Sequence, residues 1–228
     1  MLIAAYLSTL MAIIGVSTYY LLKKQNIPFA KICIKFSLFS LLLLSIGQLF
    51  IGDRVGLEVH KNQPLKTAAI ECVWKTQRGA PLVLFGYPDE TTRSNKFAIT
   101  IPHGAALINT HSWNGKLLGL DSAPSKNWPV VPAVFYSFRV MVGIGLLMVL
   151  IGILGNFFIC RKTLYNKRWF LKLCTLAGPL GFVAVITGWF TAEFGRQPWV
   201  VYNILRTQDA VSPLQAWQVI ISLSAIVL

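Results

Sequence analysis

Glu193 and Arg196 stand at the end of a long apolar run, in the stretch G-W-F-T-A-E-F-G-R-Q-P-W from Gly188 to Trp199. Ionisable groups in such a place are costly and usually mark function. On a helix, Trp189, Glu193 and Arg196 are spaced i, i+4, i+7, so an aromatic ring, a carboxylate and a guanidinium share one face. Two readings fit that face: a seat for a charged ligand or cofactor, or a helix-end ion pair beside a tryptophan of the interfacial belt.

A second charge is set deeper. In F-Y-S-F-R-V-M-V-G, Arg139 lies about two turns into the apolar run that begins at Ala133. Placing it there on an isolated helix costs roughly 2.5–3.5 kcal/mol unless it is partnered or snorkels outward, so something anionic should meet it. Met141, two residues on, reads first as adaptable core filling. A thioether is also a known axial ligand of haem iron, and that alternative stays open.

A third candidate pair lies outside the apolar runs, in K-N-Q-P-L-K-T-A-A-I-E-C-V-W, Lys61 to Trp74. Asn62 is placed to cap a short helix with Pro64 in its first turn, continued by Thr67 to Trp74. Lys66 and Glu71 are five apart, about 140° around such a helix, so each is free to meet a ligand or another element. By pattern alone the segment reads as a solvated amphipathic surface helix. His60, His103 and His111 lack metal-ligand spacing, and for each a solvent or packing role is the simpler reading.

The elements that must carry these residues are membrane spans. Apolar residues make up 55% of the 228-residue chain and charged residues only 13%, which excludes an ordinary soluble domain. Met1 to Leu22, Ile32 to Ile51, Ala133 to Cys160 and Phe170 to Phe194 each supply the roughly 20 residues that cross a hydrocarbon core. Leu214 to Leu228 reads as a fifth span cut short. The expected organisation is two transmembrane helices over 1–51, an outer loop over 52–132, two more helices over 133–194, an outer loop over 195–213, and the start of a truncated helix over 214–228.

The formal net charge of +13 could suggest nucleic acid, but its distribution points to topology. Lys23, Lys24, Lys31 and Lys35 surround the first connection. Arg161, Lys162, Lys167, Arg168 and Lys172 surround the connection after the third span. The two connections are separated by two spans, hence lie on one side, and the positive-inside rule makes that side cytoplasmic. These basic residues then serve orientation and contact with anionic lipid. The 52–132 segment faces outward, and a connection of that length is expected to be functional or to carry structure of its own. Leu82 to Pro88 and Lys96 to Pro102 read as extended segments or turns within it. Cys33, Cys72, Cys160 and Cys174 offer no plausible disulfide pair and no C-x-x-C motif.

Taken together, Q-P-L-K-T-A-A-I-E at Gln63 to Glu71, F-R-V-M at Phe138 to Met141, G-W-F-T-A-E-F-G-R-Q-P-W, and L-R-T-Q-D-A-V-S-P at Leu205 to Pro213 resemble the large subunit of the cytochrome bd quinol oxidases. G-L-D-S-A-P-S-K-N-W-P, before the third span, resembles the branch with a short quinol-binding loop, often called cyanide-insensitive. The resemblance implies an all-α, multi-pass protein of the bacterial cytoplasmic membrane with an extracytoplasmic quinol-binding loop. It also implies the cofactors: a low-spin haem b, a high-spin haem b, and haem d or a haem b in its place.

Position by position, Lys66 and Glu71 match loop residues implicated in quinol oxidation. Met141 matches an axial ligand of the low-spin haem b, and Arg139 the arginine beside it, whose partner would be a haem propionate. Glu193 matches the carboxylate associated with the high-spin haem b, with Trp189 and Arg196 lining the same region. The complete enzyme would pass electrons from membrane quinol to oxygen, form water and contribute to the proton gradient. A second subunit, a small accessory subunit, the quinol and the bilayer are the implied partners, with no role for nucleic acid.

The haem-ligating histidines of the family have no counterpart here. The expectation is therefore a C-terminal part of the subunit, unable to reduce oxygen by itself. The rival readings are a secondary transporter and a cofactor-free, inactive remnant.

Overall fold

The computed structural model describes residues 2–210 and 214–227. Val211, Ser212 and Pro213, the end of the L-R-T-Q-D-A-V-S-P motif, lie outside the described residues, as do Met1 and Leu228.

Among the described residues, four helical segments are long and apolar enough to cross a membrane. The first, α1 (Leu2–Leu22), carries no charge; at 1.5 Å per residue it matches the thickness of a bilayer core. The second, α2 (Ile27–Asn62), runs 36 residues and passes the expected end at Ile51. No helix-breaking proline intervenes before Pro64, so the helix continues as a polar extension bearing Asp53, Arg54, Glu58 and Lys61. The domain boundary expected at 51/52 therefore falls inside a continuous helix.

Pro64 then forces the residue before it out of helical geometry: Gln63 has φ −137° and ψ 65°. A new short helix, α3 (Pro64–Glu71), starts there with the proline in its first turn. The expected cap, Asn62, instead ends α2, donating to Glu58 O at 3.0 Å. The expected continuation to Trp74 also fails. Cys72 takes a left-handed conformation (φ 51°), and Val73 N–H closes the turn on Ala68 O at 2.9 Å.

The rest of the outer segment is built from two small antiparallel ribbons and one helix. β1 (Gln77–Arg78) pairs with β4 (Lys116–Leu117). β2 (Leu82–Asp89) and β3 (Ser94–Ile101) form a hairpin over the two stretches read as extended, with bulges between Val83 and Tyr87. α4 (Gly104–Thr110) lies between these strands and β4.

The third span is α5 (Val131–Cys160). The fourth is divided into α6 (Arg168–Ala177) and α7 (Leu180–Arg196), because Pro179 supplies no N–H and follows a glycine. Beyond it come a short ribbon of β5 (Trp199–Val201) and β6 (Leu205–Arg206), and α8 (Ala216–Val227), an apolar helix shorter than a span.

One core cluster holds the spans together: Met11 and Ile14 of α1, Ile34, Leu38 and Leu41 of α2, Met148 and Ile151 of α5, and Phe170 and Cys174 of α6. Within lipid, helices associate through close packing and hydrogen bonds between them. Both are visible here. A Cβ on Gly15 would stand 2.9 Å from Gly178 Cα, so the two backbones touch only because both residues are glycine. Asn156 donates to Leu38 O at 2.9 Å, and the Thr18 and Thr175 hydroxyls lie 2.9 Å apart. The ammonium of Lys31, after the first connection, lies 4.7 Å from the Tyr165 ring centre in the connection after α5, so both basic connections share one end of the bundle.

Candidate functional site

The outer ends of α5 and α7 are joined by α3, and α3 is not the solvated surface helix its pattern suggested. Leu65, Thr67, Ala68, Ala69 and Glu71 are buried. Ala68 and Ala69 pack with Val131, Val134 and Phe135 of α5 and Val83 of β2. Small residues at 68 and 69 bring the α3 backbone close enough for Glu71 to meet α5.

There Glu71 pairs with Arg139, Nη2 donating to Oε2 at 2.8 Å. The anion that Arg139 requires is thus found within the chain, where the family resemblance implied a haem propionate. Arg139 Nε donates to Val83 O at 2.8 Å, and the guanidinium lies over the rings of Phe135 and Phe138, at 5.0 and 5.5 Å. A bulge in β2 between Val83 and Phe85 shapes the strand beside that carbonyl. Tyr136 OH donates to Gly86 O at 3.0 Å and pins the hairpin to the same helix.

Glu71 also closes one side of a cavity of about 200 Å³, lined further by Cys72, Trp74, Val83, Arg93 and Asn95. Asn95 bridges its wall, accepting from Trp74 Nε1 at 2.7 Å and donating to Cys72 O at 3.0 Å. Burial pushes the Cys72 thiol up to about 12; Arg139 opposes that shift and Glu71 adds to it. The thiol is therefore protonated at neutral pH and behaves as packing.

Lys66 leaves α3 in another direction. Its methylenes lie on Gly195, where an added Cβ would come within 2.9 Å of Cε. Its ammonium reaches Ala192 O at 3.5 Å. Burial lowers its pKa, Arg196 lowers it further, and Glu193 partly offsets both. Glu193 and Arg196 pair with each other at 2.7 Å on the outer end of α7. Trp189 is exposed and packs on Phe190, with ring centres 5.7 Å apart. The hydroxyls of Ser137 and Thr191, 2.9 Å apart, tie α5 to α7 at this level.

Met141 lies where α5 faces α7. A Cβ on Gly188 would sit 2.9 Å from its Sδ, so this glycine makes the room the sulfur occupies. The soft thioether of Met141 is thus held at a helix interface, while the Glu193 carboxylate lies at the far end of α7 in its pair with Arg196. The three histidines lie elsewhere. His60 is on the outer end of α2, His103 stacks on Trp113, and His111 contacts Asp53 at 2.9 Å. Among the described residues no group of three or more His, Cys, Asp or Glu could hold a metal ion.

Sequence reasoning passed over Asn109, Val83, Gly188 and Gly195. Asn109 carried one faint signal: Ala105, Ala106 and Asn109 form the small-residue face of α4, opposite the exposed Leu107 and Ile108.

The family model described as cytochrome bd terminal oxidase subunit I matches residues 1–228. The chain belongs to that family. It is 30% identical to the cytochrome bd-II ubiquinol oxidase subunit 1 of Escherichia coli (strain K12), over 98% of this chain and 56% of that protein. It is also 30% identical to the cytochrome bd ubiquinol oxidase subunit 1 of Bacillus subtilis (strain 168), over 88% of this chain and 45% of that protein. The bd oxidase structure from Geobacillus thermodenitrificans superposes with a TM-score of 0.86 at 26% identity, covering 99% of this chain and 52% of that one. The chain thus spans about half the length of the relatives it matches. Membership makes it a protein of the bacterial inner membrane in a haem-binding family, consistent with the four apolar helices.

Proposed function

We propose that this chain carries the quinol-oxidising outer loop, and two of the haem-contacting helices, of a bd-type terminal oxidase. The observation that supports this best is the buried Glu71–Arg139 pair. It locks the loop helix α3 to α5 two residues from Met141, so a group handling quinol and a group handling haem share one rigid unit.

In this reading Glu71 accepts a proton from a quinol hydroxyl beside the cavity. Arg139 holds the carboxylate in place and keeps donors for a haem propionate, since a guanidinium has five N–H groups and two are engaged here. Lys66 and Glu71 point to different helices, so one quinol headgroup would engage Glu71 directly. Lys66 marks the other edge of the quinol region and adds positive charge beside Glu193 and Arg196. Met141 would hold a low-spin haem b, and Glu193, with Trp189 and Arg196 near it, a high-spin haem b. A haem d, or a haem b in its place, completes the set.

Bound haem supplies one-electron transfer and, at the oxygen-reducing centre, conversion of oxygen to water, while the protein orients and tunes it. The exposed apolar faces of α2, α5 and α7 are suited to lipid and to the oxidase's second subunit.

The test is a pair of substitutions in the assembled oxidase. Glu71→Gln should impair quinol turnover more than haem content, and Met141→Leu should abolish or shift the low-spin haem b spectrum. An unchanged spectrum removes Met141 as ligand; equal loss of turnover and haem in Glu71→Gln reduces Glu71 to a folding role.

A further inference from the structure

Asn109 is buried on α4, and its side-chain amide reaches out of the helix toward α3. The amide nitrogen donates to Ala105 O at 2.9 Å and to Glu71 Oε1 at 3.3 Å. Both partners are acceptors, one a carbonyl and one a carboxylate, so the NH2 end must face them and both of its hydrogens are engaged. The amide is therefore anchored on its own helix by one hydrogen and spans the gap to Glu71 with the other.

The base from which it reaches is fixed. Ala105 and Ala106 of α4 pack with Val73, Ala80 and Leu117 in a small core of their own. That core is separate from the one holding Glu71 against α5. The two oxygens of Glu71 are thus held by different elements, Oε2 by Arg139 of α5 and Oε1 by Asn109 of α4. A carboxylate gripped at one oxygen keeps a broad choice of terminal torsion, and a second grip removes it.

We propose that Asn109 is a positioning residue for quinol oxidation, fixing the rotation of the Glu71 carboxylate beside the cavity. This rests on the reading of Glu71 as the group that serves the quinol.

Four forms of the assembled oxidase test it: Asn109→Leu, Asn109→Gln, Glu71→Gln and the double variant Asn109→Leu with Glu71→Gln. Loss of a hydrogen bond to a charged group predicts a fall of about tenfold in kcat for Asn109→Leu, with KM little changed and haem absorbance intact. Asn109→Gln, which retains the amide, should recover part of that loss. Because Asn109 acts through Glu71, adding Asn109→Leu to Glu71→Gln should cause no further fall. Normal kcat in Asn109→Leu, losses that multiply in the double variant, or loss of haem in step with turnover would each overturn the assignment. Normal turnover in Glu71→Gln would instead overturn the parent reading, and the role of Asn109 with it.

Discussion

Two glutamate–arginine pairs of nearly equal length mark the outer end of this molecule, and their surroundings differ. Glu71–Arg139 spans 2.8 Å with side chains 4% and 17% exposed; Glu193–Arg196 spans 2.7 Å with side chains 42% and 47% exposed. The first joins two elements 68 positions apart, takes a second donor from Asn109, and uses Arg139 to hold a strand carbonyl. The second joins neighbours three apart on one helix. Distance alone would rank them together; desolvation separates them. Removing one partner of a buried pair strands the other charge in a medium that cannot solvate it. Water replaces either partner of an exposed pair at little cost.

The comparison breaks most directly at Arg139. Arg139→Leu leaves the buried Glu71 unpaired and frees Val83 O, so a destabilisation of about 3–5 kcal/mol is expected. Hydrogen exchange of the detergent-solubilised oxidase should show it as undocking of α3 and the β2–β3 hairpin. A smaller effect, about 1–3 kcal/mol, is expected for Glu71→Gln, whose amide oxygen can still accept from Arg139 but carries no charge. Chemical unfolding of the two variants side by side would order them, and a reversed order would mean that packing rather than charge fixes α3.

Arg196→Gln should cost no more than about 1 kcal/mol in the same assay. A loss as large as that of Arg139→Leu would show that the α7 pair is desolvated in the assembled oxidase.

The smallest effect concerns a third carboxylate, Asp89, at the hairpin tip. Lys96 at 2.6 Å and the Thr91 hydroxyl at 2.6 Å hold its pKa far below the ordinary carboxylate range. A group whose folded-state pKa is depressed contributes stability above its unfolded pKa, about 3.9, and loses it as pH falls through the folded value. Protection of the Thr91 and Thr92 amides should therefore decline as pH is lowered below about 4, and Asp89→Asn should lack that dependence. An identical profile in the variant would assign the turn's stability to backbone geometry.

Family motifs carried much of this site without any structure. Arg139 and Glu193 were picked out because charge in apolar runs is conspicuous, whereas Met141 reads as core filling until the family resemblance singles it out. The hairpin was legible as two short extended or turn-like runs, whereas the break at Gly178 and Pro179 falls inside the stretch read as a single span from Phe170 to Phe194. The reach of α2 to Asn62 was not foreseen, since hydropathy reports where lipid ends and is silent on where a helix ends. The burial of α3 was misread for a related reason. Its own pattern of Lys66 and Glu71 looks like a wet surface until two other helices cover it.

By itself, then, the sequence determined the number of apolar spans and contacts such as Glu193 with Arg196, because these depend on hydropathy and on residues within one turn. Only the tertiary structure decided that Glu71 meets Arg139 and Asn109 while Lys66 turns away to α7. Those choices depend on how separately formed helices dock. Docking is set by the summed fit of small residues such as Ala68, Ala69, Gly188 and Gly195, whose effect no local spacing reveals.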